Sequence, residues 1–244
     1  AKSVYLSSRN PIDGLTQLLK MGIAGRSFLK KAAFSGHFTT EGINAKEAKI
    51  KLAEVRKIAQ QFGKEVANSI PLYLHASPFM ELTPILGPNG ERWKPTHSVL
   101  PFSRVLKHDQ DFESLMEEYR PRMEEYGVTM NRMFSFIESN AFLYEPTFLW
   151  KDQQLIYHKK MYPLDLNDVP VHDANPIGLE LVHEIKDRIE KMSVANGAIH
   201  FQIGKDYPYL KNRTEATRQL LISLKQQFDP KNLINPGSLG FDEH

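Results

Sequence analysis

The sequence predicts an α+β fold in which a mostly antiparallel sheet carries helices on one face. Three observations lead to this class. Strand-like and helix-like segments alternate along the chain, a long hairpin lies in the middle at 128–150, and a strand–helix–strand pattern occurs on both sides of a proline-rich stretch at 71–101. These two strand–helix–strand patterns favour a duplicated, ferredoxin-like layout.

Five helices are predicted from apolar residues at helical spacing and from the residues that cap them. They cover residues 11–21, 45–62, 109–126, 176–192 and 213–228. We expect Pro11 in the first turn of the first helix and Gly22 beyond its end. Pro121 should bend or split the third helix, and Asp229-Pro230 should stop the last one.

Six strands are predicted from alternating or continuous apolar residues. They cover residues 4–6, 34–40, 128–138, 141–150, 155–158 and 198–203. Ser139-Asn140 can form the tight turn of the central hairpin. Aromatic residues alternate along both hairpin strands, which indicates a sheet with one buried face rather than an aromatic cofactor pocket.

The composition limits the chemistry that the chain can carry. Its 244 residues are 41% hydrophobic, which is enough for one large domain or two small ones. The net charge of +2 gives no reason to expect a nucleic-acid partner. The chain has no cysteine, which excludes disulfides, thiolate metal sites and a cysteine nucleophile. We expect a cytoplasmic protein because such a composition fits a reducing compartment, with a periplasmic or membrane-associated location as the alternative.

The most specific motif is the string from Leu224 to Gly237, in which a helix runs into Phe-Asp-Pro and a short turn leads to Asn-Pro-Gly. Because proline fixes φ and glycine permits positive φ, this tail should follow a rigid path that suits docking against another domain or a cofactor. It is accompanied by Asn196–Lys205, Trp93–Pro101 and Phe142–Trp150. Together these segments resemble the C-terminal half of the vanillyl-alcohol-oxidase superfamily of FAD-linked oxidases, which includes glycolate oxidase, D-lactate dehydrogenase and aromatic-alcohol oxidases.

This resemblance implies that residues 1–215 form a substrate-binding cap domain and that 216–244 form a helix and tail that return to the flavin domain. It implies FAD as the cofactor, and oxidation of an alcohol, a phenol or a 2-hydroxy acid by hydride transfer to the flavin. The electron acceptor would be oxygen, a quinone or a cytochrome. An N-terminal FAD-binding domain, in the same gene or in a partner subunit, would hold most of the flavin, so the isolated chain should be inactive. Assembly into a homo-oligomer is left open.

The sequence also departs from this family in three places. The His-x-Gly-Asp-Gly-Asn-x-His motif of the glycolate and D-lactate branch is absent, and Ile199 precedes His200 where that branch has Glu. A metal-dependent hydroxy-acid dehydrogenase is therefore less favoured than an enzyme that acts on aromatic alcohols or phenols. The glycine-rich loop that binds the flavin pyrophosphate is absent as well. Since His172, Asp173 and His183 lack the spacing of metal ligands, no metal is expected.

His200 is the candidate catalytic residue, since the strand that carries it should line the flavin pocket and an imidazole can deprotonate a substrate hydroxyl. Gln202 lies two positions further on the same strand face and can bind a substrate oxygen. Lys205 is a cation that can stabilise an anionic substrate or the reduced flavin, and the resemblance implies that Asn235 forms a hydrogen bond with the flavin ring. The alternatives are a structural histidine, a solvated lysine and a turn asparagine.

Four other residues are candidates for binding the substrate. His97 lies in the proline-rich stretch, where loops often carry ligand-binding groups, and Arg104 can clamp a carboxylate. Arg132 and Tyr144 lie on neighbouring strands and can form a pocket for a phenol or a carboxylate. The alternatives are surface residues for the first pair and a cross-strand polar pair on the solvent face for the second.

A second class of function competes with the enzyme. A ferredoxin-like module that binds a small ligand or another protein without catalysis has the same pattern of strands and helices. The tail is the feature that separates the two, because a plain binding module has no reason to follow a His-bearing strand and a Gly-Lys pair with Asp-Pro and Asn-Pro-Gly.

Overall fold

The computed structural model describes residues 11–24, 32–66, 87, 89–137, 140–161, 172–202, 204–207 and 209–241. The chain forms two compact units, Ala1–Glu81 and Leu82–His244. The helix and tail that follow residue 215 belong to the second unit. The strand predicted at 4–6 lies outside the described residues. Within the described part of the chain, no helix is long and apolar enough to cross a membrane.

The described residues of the first unit include two helices, α1 (Pro11–Ala24) and α2 (Ala45–Ala59). Helix α1 begins at Pro11 as predicted, but it continues past Gly22 and ends at Ala24. Helix α2 begins where the carboxamide oxygen of Asn44 accepts hydrogen bonds from two backbone N–H groups of the first turn, both at 3.0 Å.

The strand predicted at 34–40 is wrong. These residues have no strand partner among the described residues, and their backbone is irregular. Their apolar residues therefore do not reflect a sheet: Phe34 and Phe38 line an open groove of about 630 Å³ beside α2.

The second unit contains a four-stranded antiparallel sheet around one long strand. The strands are β1 (Glu91–Pro95), β2 (Ser98–Pro101), β3 (Thr129–Ile137) and β4 (Ala141–Lys151). Strand β3 pairs with the whole of β4 and so confirms the predicted hairpin. Strands β1 and β2 follow one another along the other side of β4, with a break at Thr96 and His97.

Two long helices give this sheet a ferredoxin-like order. Helix α3 (Phe102–Glu125) follows β2, and helix α5 (Pro176–Ala195) follows β4. After α5, residue Ile199 forms an antiparallel bridge with Val99 of β2. The elements thus run β–α–β–β–α–β, and the segment at 198–201 lies at the edge of the sheet beside β2. The predicted α+β class with a mostly antiparallel sheet is confirmed.

The expected duplication is not present in the described residues. Residues 11–24 and 32–66 form helices and irregular chain without a strand, so the described part of the first unit contributes no second ferredoxin-like unit. The strand predicted at 198–203 is reduced to the single bridge at Ile199, because the segment leaves β2 after this pair.

Several other elements of the second unit differ from the sequence prediction. Helix α3 begins at Phe102 rather than 109 and passes through Pro121 as one helix. The strand predicted at 155–158 is wrong, because a short helix, α4 (Ile156–Met161), occupies this region. Its first turn is capped by the His158 ring nitrogen, which accepts a hydrogen bond from the Leu155 N–H at 3.1 Å. Helix α6 (Glu215–Phe228) begins after the capping residue Thr214.

The core lies between the sheet and the pair α3 and α5. Alternate residues of β4 point into it, and Tyr144, Phe148 and Trp150 are at most 7% exposed. From the helices come the fully buried residues Phe112, Leu181, Val182, Ile185 and Ile189. Helix α3 ends where the positive φ of Gly127 (66°) lets the Val128 N–H donate to the Met123 oxygen at 2.8 Å.

The other face of the sheet is largely uncovered by the described residues. Trp93, Met133, Ile199 and Phe201 are 48–58% exposed there or at its edge. Val99 and Leu143, which are directly opposite one another on β2 and β4, are buried on this face. The sheet therefore has one packed face and one open, mostly apolar face.

Truncation of Ile185 to Ala is expected to lower the free energy of unfolding by about 2–5 kcal/mol, because the side chain is fully buried between α5 and the sheet. Ile177→Ala is the matched control: it lies on the same helix but is 48% exposed, and it should cost well under half as much. Urea unfolding measures both. Equal losses in the two variants would contradict the assignment of the core.

Candidate functional site

Two predicted site residues, His97 and His200, meet at the edge of the sheet. His97 lies in the break between β1 and β2, where the Thr96 N–H still donates to the Pro146 oxygen of β4 at 2.9 Å. His200 follows Ile199, whose backbone exchanges two hydrogen bonds of 2.9 Å with Val99. The bridge brings the two imidazoles together, with their ring centroids 5.5 Å apart.

Hydrogen bonds to the backbone fix the tautomer of each ring. His200 Nδ1 lies 2.9 Å from the backbone oxygen of His97. A carbonyl oxygen can only accept, so His200 Nδ1 must carry a proton, and Nε2 of the neutral ring holds a lone pair. His97 Nε2 accepts the Phe201 N–H at 3.3 Å, so the proton of a neutral His97 lies on Nδ1.

Burial keeps both rings neutral near pH 7. It lowers the pKa of His97 to about 4, and the neighbouring His200 contributes in the same direction. Burial also lowers the pKa of His200, against the opposing effect of its hydrogen bond to the His97 oxygen. A neutral imidazole with a free lone pair is the form that accepts a proton.

Tyr207 covers the two histidines and was not predicted from the sequence. Its ring stacks on His200 at 4.6 Å and lies 4.4 Å from the ring of His97. Its hydroxyl oxygen accepts a hydrogen bond from the backbone N–H of His97 at 3.2 Å, and Tyr207 is 5% exposed. The available signal was its position seven residues after His200 in Gly-Lys-Asp-Tyr, but sequence spacing does not show that the chain folds back there.

Two polar atoms at this site are buried without a hydrogen-bond partner among the described residues. They are His200 Nε2 and Thr96 Oγ1. An unsatisfied buried polar group costs about 1–3 kcal/mol, so proteins rarely keep one without a use for it. The lone pair of His200 is thus available for a hydroxyl proton, once a ligand reaches it.

Arg132 and Tyr144 also lie together, but they face helix α3. Arg132 Nη1 lies 3.2 Å from both the Tyr144 hydroxyl and Asp109 Oδ1, and it also contacts Glu113 Oε1. The Tyr144 hydroxyl donates to Asp109 Oδ1 at 2.7 Å, and Tyr144 is 1% exposed. The pair is therefore on the packed face rather than the solvent face, where it ties α3 to the sheet with its charges compensated.

The four remaining candidates are exposed. Arg104 lies in the first turn of α3, and Gln202 follows the exposed Phe201. Lys205 and Asn235 lie on two segments that meet, because the Leu239 N–H donates to the Gly204 oxygen at 2.9 Å. Asn235 has a positive φ of 47°, a conformation that asparagine adopts more readily than most residues.

Other features of the molecule do not add to this site. The groove of the first unit is lined mainly by apolar side chains of 32–66 and contains none of the candidate residues. Among the described residues, no group of three or more His, Asp or Glu is placed to hold a metal ion.

Comparison with known proteins gives no family for this chain. No protein-family model matches it, and a search of curated proteins finds no significant match. The function therefore has to be argued from the site.

Buried histidines should make the protein less stable in mild acid. His108 lies fully buried between α3 and β4, and neither of its ring nitrogens has a partner among the described residues. Burial lowers the pKa of His108 to about 4, against the opposing effect of Asp111 and Asp109. Between pH 6.5 and 4, His97 and His108 bind protons in the unfolded chain but not in the folded chain, and this difference favours unfolding.

We expect the free energy of unfolding to be at its full value above pH ~6.5 and to fall toward pH 5, by roughly 1–2 kcal/mol for each histidine. His108→Leu should make this fall in the free energy of unfolding smaller by the contribution of one histidine, because a leucine side chain binds no proton. His183→Gln, at an exposed position of α5, should leave it unchanged. Urea unfolding at pH 7 and pH 5 measures it, and an unaltered dependence in His108→Leu would contradict the expectation.

Proposed function

We propose that this chain is the substrate-binding part of an FAD-dependent oxidoreductase that oxidises an alcohol, a phenol or a 2-hydroxy acid. The observation that carries the proposal is the free lone pair of His200 Nε2 on a ring held neutral and in one tautomer. Such a group can take the hydroxyl proton of a substrate while a hydride leaves the adjacent carbon.

The role of the cofactor is limited to one step. Bound FAD would accept the hydride, and the residues of this chain would bind the substrate, orient its hydroxyl group and hold its proton. His200 is the base. His97 positions it, because the His97 carbonyl oxygen fixes the tautomer of the His200 ring.

Lys205 and Asn235 are the residues that would hold the flavin. Their loops are joined by the hydrogen bond between Leu239 and Gly204, and both side chains are exposed. A cation and a carboxamide suit a ring that carries several carbonyl oxygens and gains negative charge on reduction. This donor set fits the group, and the resemblance of the tail to the FAD-linked oxidases supports the same assignment.

The open face of the sheet supports the presence of a second domain or a flat ligand. Its exposed apolar residues include Trp93, Met133 and Ile199, and Ile199 directly precedes His200. Exposed apolar residues on one face can mark an interface or a ligand site. An FAD-binding domain, from the same gene or from a partner subunit, is the partner we propose for it.

Substitution of His200 by Ala is expected to slow substrate-driven flavin reduction about 10²- to 10⁴-fold, the usual contribution of a general base. Flavin content and melting temperature should stay close to those of the unchanged protein. His183→Ala is the matched control, since this histidine is exposed on α5. The experiment uses the polypeptide encoded by the complete gene, reduced anaerobically by a panel of primary alcohols, phenols and 2-hydroxy acids.

Two results would contradict the proposal. If the folded polypeptide and any partner subunit bind no flavin, a ferredoxin-like binding module without catalysis becomes the better explanation. If flavin is bound and reduced but His200→Ala behaves like His183→Ala, the base lies elsewhere.

A further inference from the structure

A carboxylate fixes the loop that covers the two histidines. Asp206 precedes Tyr207, and its two oxygens contact lysines from two different elements. Oδ2 lies 2.7 Å from Lys94 Nζ of β1, and Oδ1 lies 3.4 Å from Lys186 Nζ of α5. One side chain thus ties the loop at 204–207 both to the sheet and to a helix that packs against it.

The two lysines are more buried than the carboxylate. The side chain of Lys186 is 11% exposed and that of Lys94 is 25% exposed, whereas that of Asp206 is 51% exposed. Lys186 also lies 3.3 Å from Asp187 Oδ1 and 4.0 Å from Glu190 Oε2. Removal of Asp206 therefore leaves Lys186 with carboxylate neighbours, and ion pairs this exposed contribute little to overall stability.

Tyr207 contacts both histidines and thereby links the position of the loop to theirs. Its hydroxyl holds the His97 N–H at 3.2 Å, and its ring lies parallel to that of His200 within 28° at 4.6 Å. Burial is the largest effect that raises the pKa of the Tyr207 phenol, and the nearby charges of Asp206, Glu145 and Glu190 raise it further. The hydrogen bond from the His97 backbone acts in the opposite direction. The phenol stays neutral and serves as a packing surface.

We propose that Asp206 is a positioning residue: bridged to Lys94 and Lys186, it holds Tyr207 against the His97–His200 pair and keeps His200 Nε2 oriented for its substrate. This role rests on the proposed function, in which His200 is the base. Asp206 itself touches neither histidine, so its effect passes through the loop.

The test compares Asp206→Asn with Asp187→Asn. Both variants remove one carboxylate from the neighbourhood of Lys186, but Asp187 lies on α5 and not on the loop. The first readout is the titration of the His200 ring, followed by NMR in protein with ¹³C-labelled histidine. Burial lowers the pKa of His200, and the Tyr207 ring stacks on this histidine, so Asp206→Asn should raise the titration midpoint by about half a pH unit or more, toward the ordinary value of histidine.

The second readout is substrate-driven flavin reduction. In Asp206→Asn the rate constant should fall about 10-fold or more with little change in KM, because a small misplacement of a catalytic group is costly in rate. Asp187→Asn should change neither readout. Lys94→Gln removes only the 2.7 Å contact between Lys94 and Asp206, and it should shift both readouts in the same direction as Asp206→Asn. If Asp206→Asn fails to fold, the result for Lys94→Gln tests the positioning role by itself.

The two proposals fail in different ways. If the protein binds no flavin, the proposed function fails, and with it the role of Asp206 in catalysis. If His200→Ala abolishes reduction while Asp206→Asn and Lys94→Gln match Asp187→Asn in titration and rate, the function stands and Asp206 has no positioning role.

Discussion

The hydrogen bond from His200 Nδ1 to the backbone oxygen of His97 is the interaction on which the proposed site depends. The His97 carbonyl is available to a side chain because the segment at 198–201 pairs with β2 only at Ile199 and does not continue as a neighbouring strand. The hydrogen bond leaves the lone pair of His200 on Nε2, and burial prevents protonation of that lone pair near neutral pH. A strand break and an edge bridge together bring the two histidines into contact, in the arrangement that the proposed base requires.

The unit contains two polar clusters that differ in how well their groups are satisfied. Around Arg132, the guanidinium, a phenol and two carboxylates bond one another, and the result is a cross-link between α3 and the sheet. At His97 and His200, one ring nitrogen and a nearby threonine hydroxyl are buried without a partner among the described residues. A satisfied network stabilises the fold, whereas an unsatisfied buried group is retained at a cost in stability, and this cost is compatible with the role that we propose for the histidine pair.

The sequence predicted the parts of the fold that depend on local pattern. The central hairpin, helix α5 and the start of α1 follow from alternation, capping residues and apolar periodicity, and they lie where expected. The sequence predicts a strand where the short helix α4 lies, because four residues of mixed polarity do not distinguish a helix from a strand. The edge segment at 198–201 was taken for a longer strand, because its pairing depends on how far it follows β2.

The sequence identifies several residues of the candidate site, but it does not show which of them are in contact. His97 and His200 were both chosen from the sequence, yet their contact depends on a bridge between Val99 and Ile199, 100 positions apart in the chain. Tyr207 and Asp206 were missed because their roles come from a loop that folds back over the sheet edge. Arg132 and Tyr144 were correctly placed together, but the covering helix that satisfies them could not be assigned from strand alternation.

The most direct test of the central claim is the protonation state of His200 in the unchanged protein at pH 7, read from the ¹⁵N chemical shifts of its ring by NMR. The hydrogen bond to His97 predicts a neutral ring with a protonated Nδ1 and an unprotonated Nε2. A ring protonated on Nε2, or on both nitrogens, could not accept a substrate proton at that position and would contradict the assignment of His200 as the base.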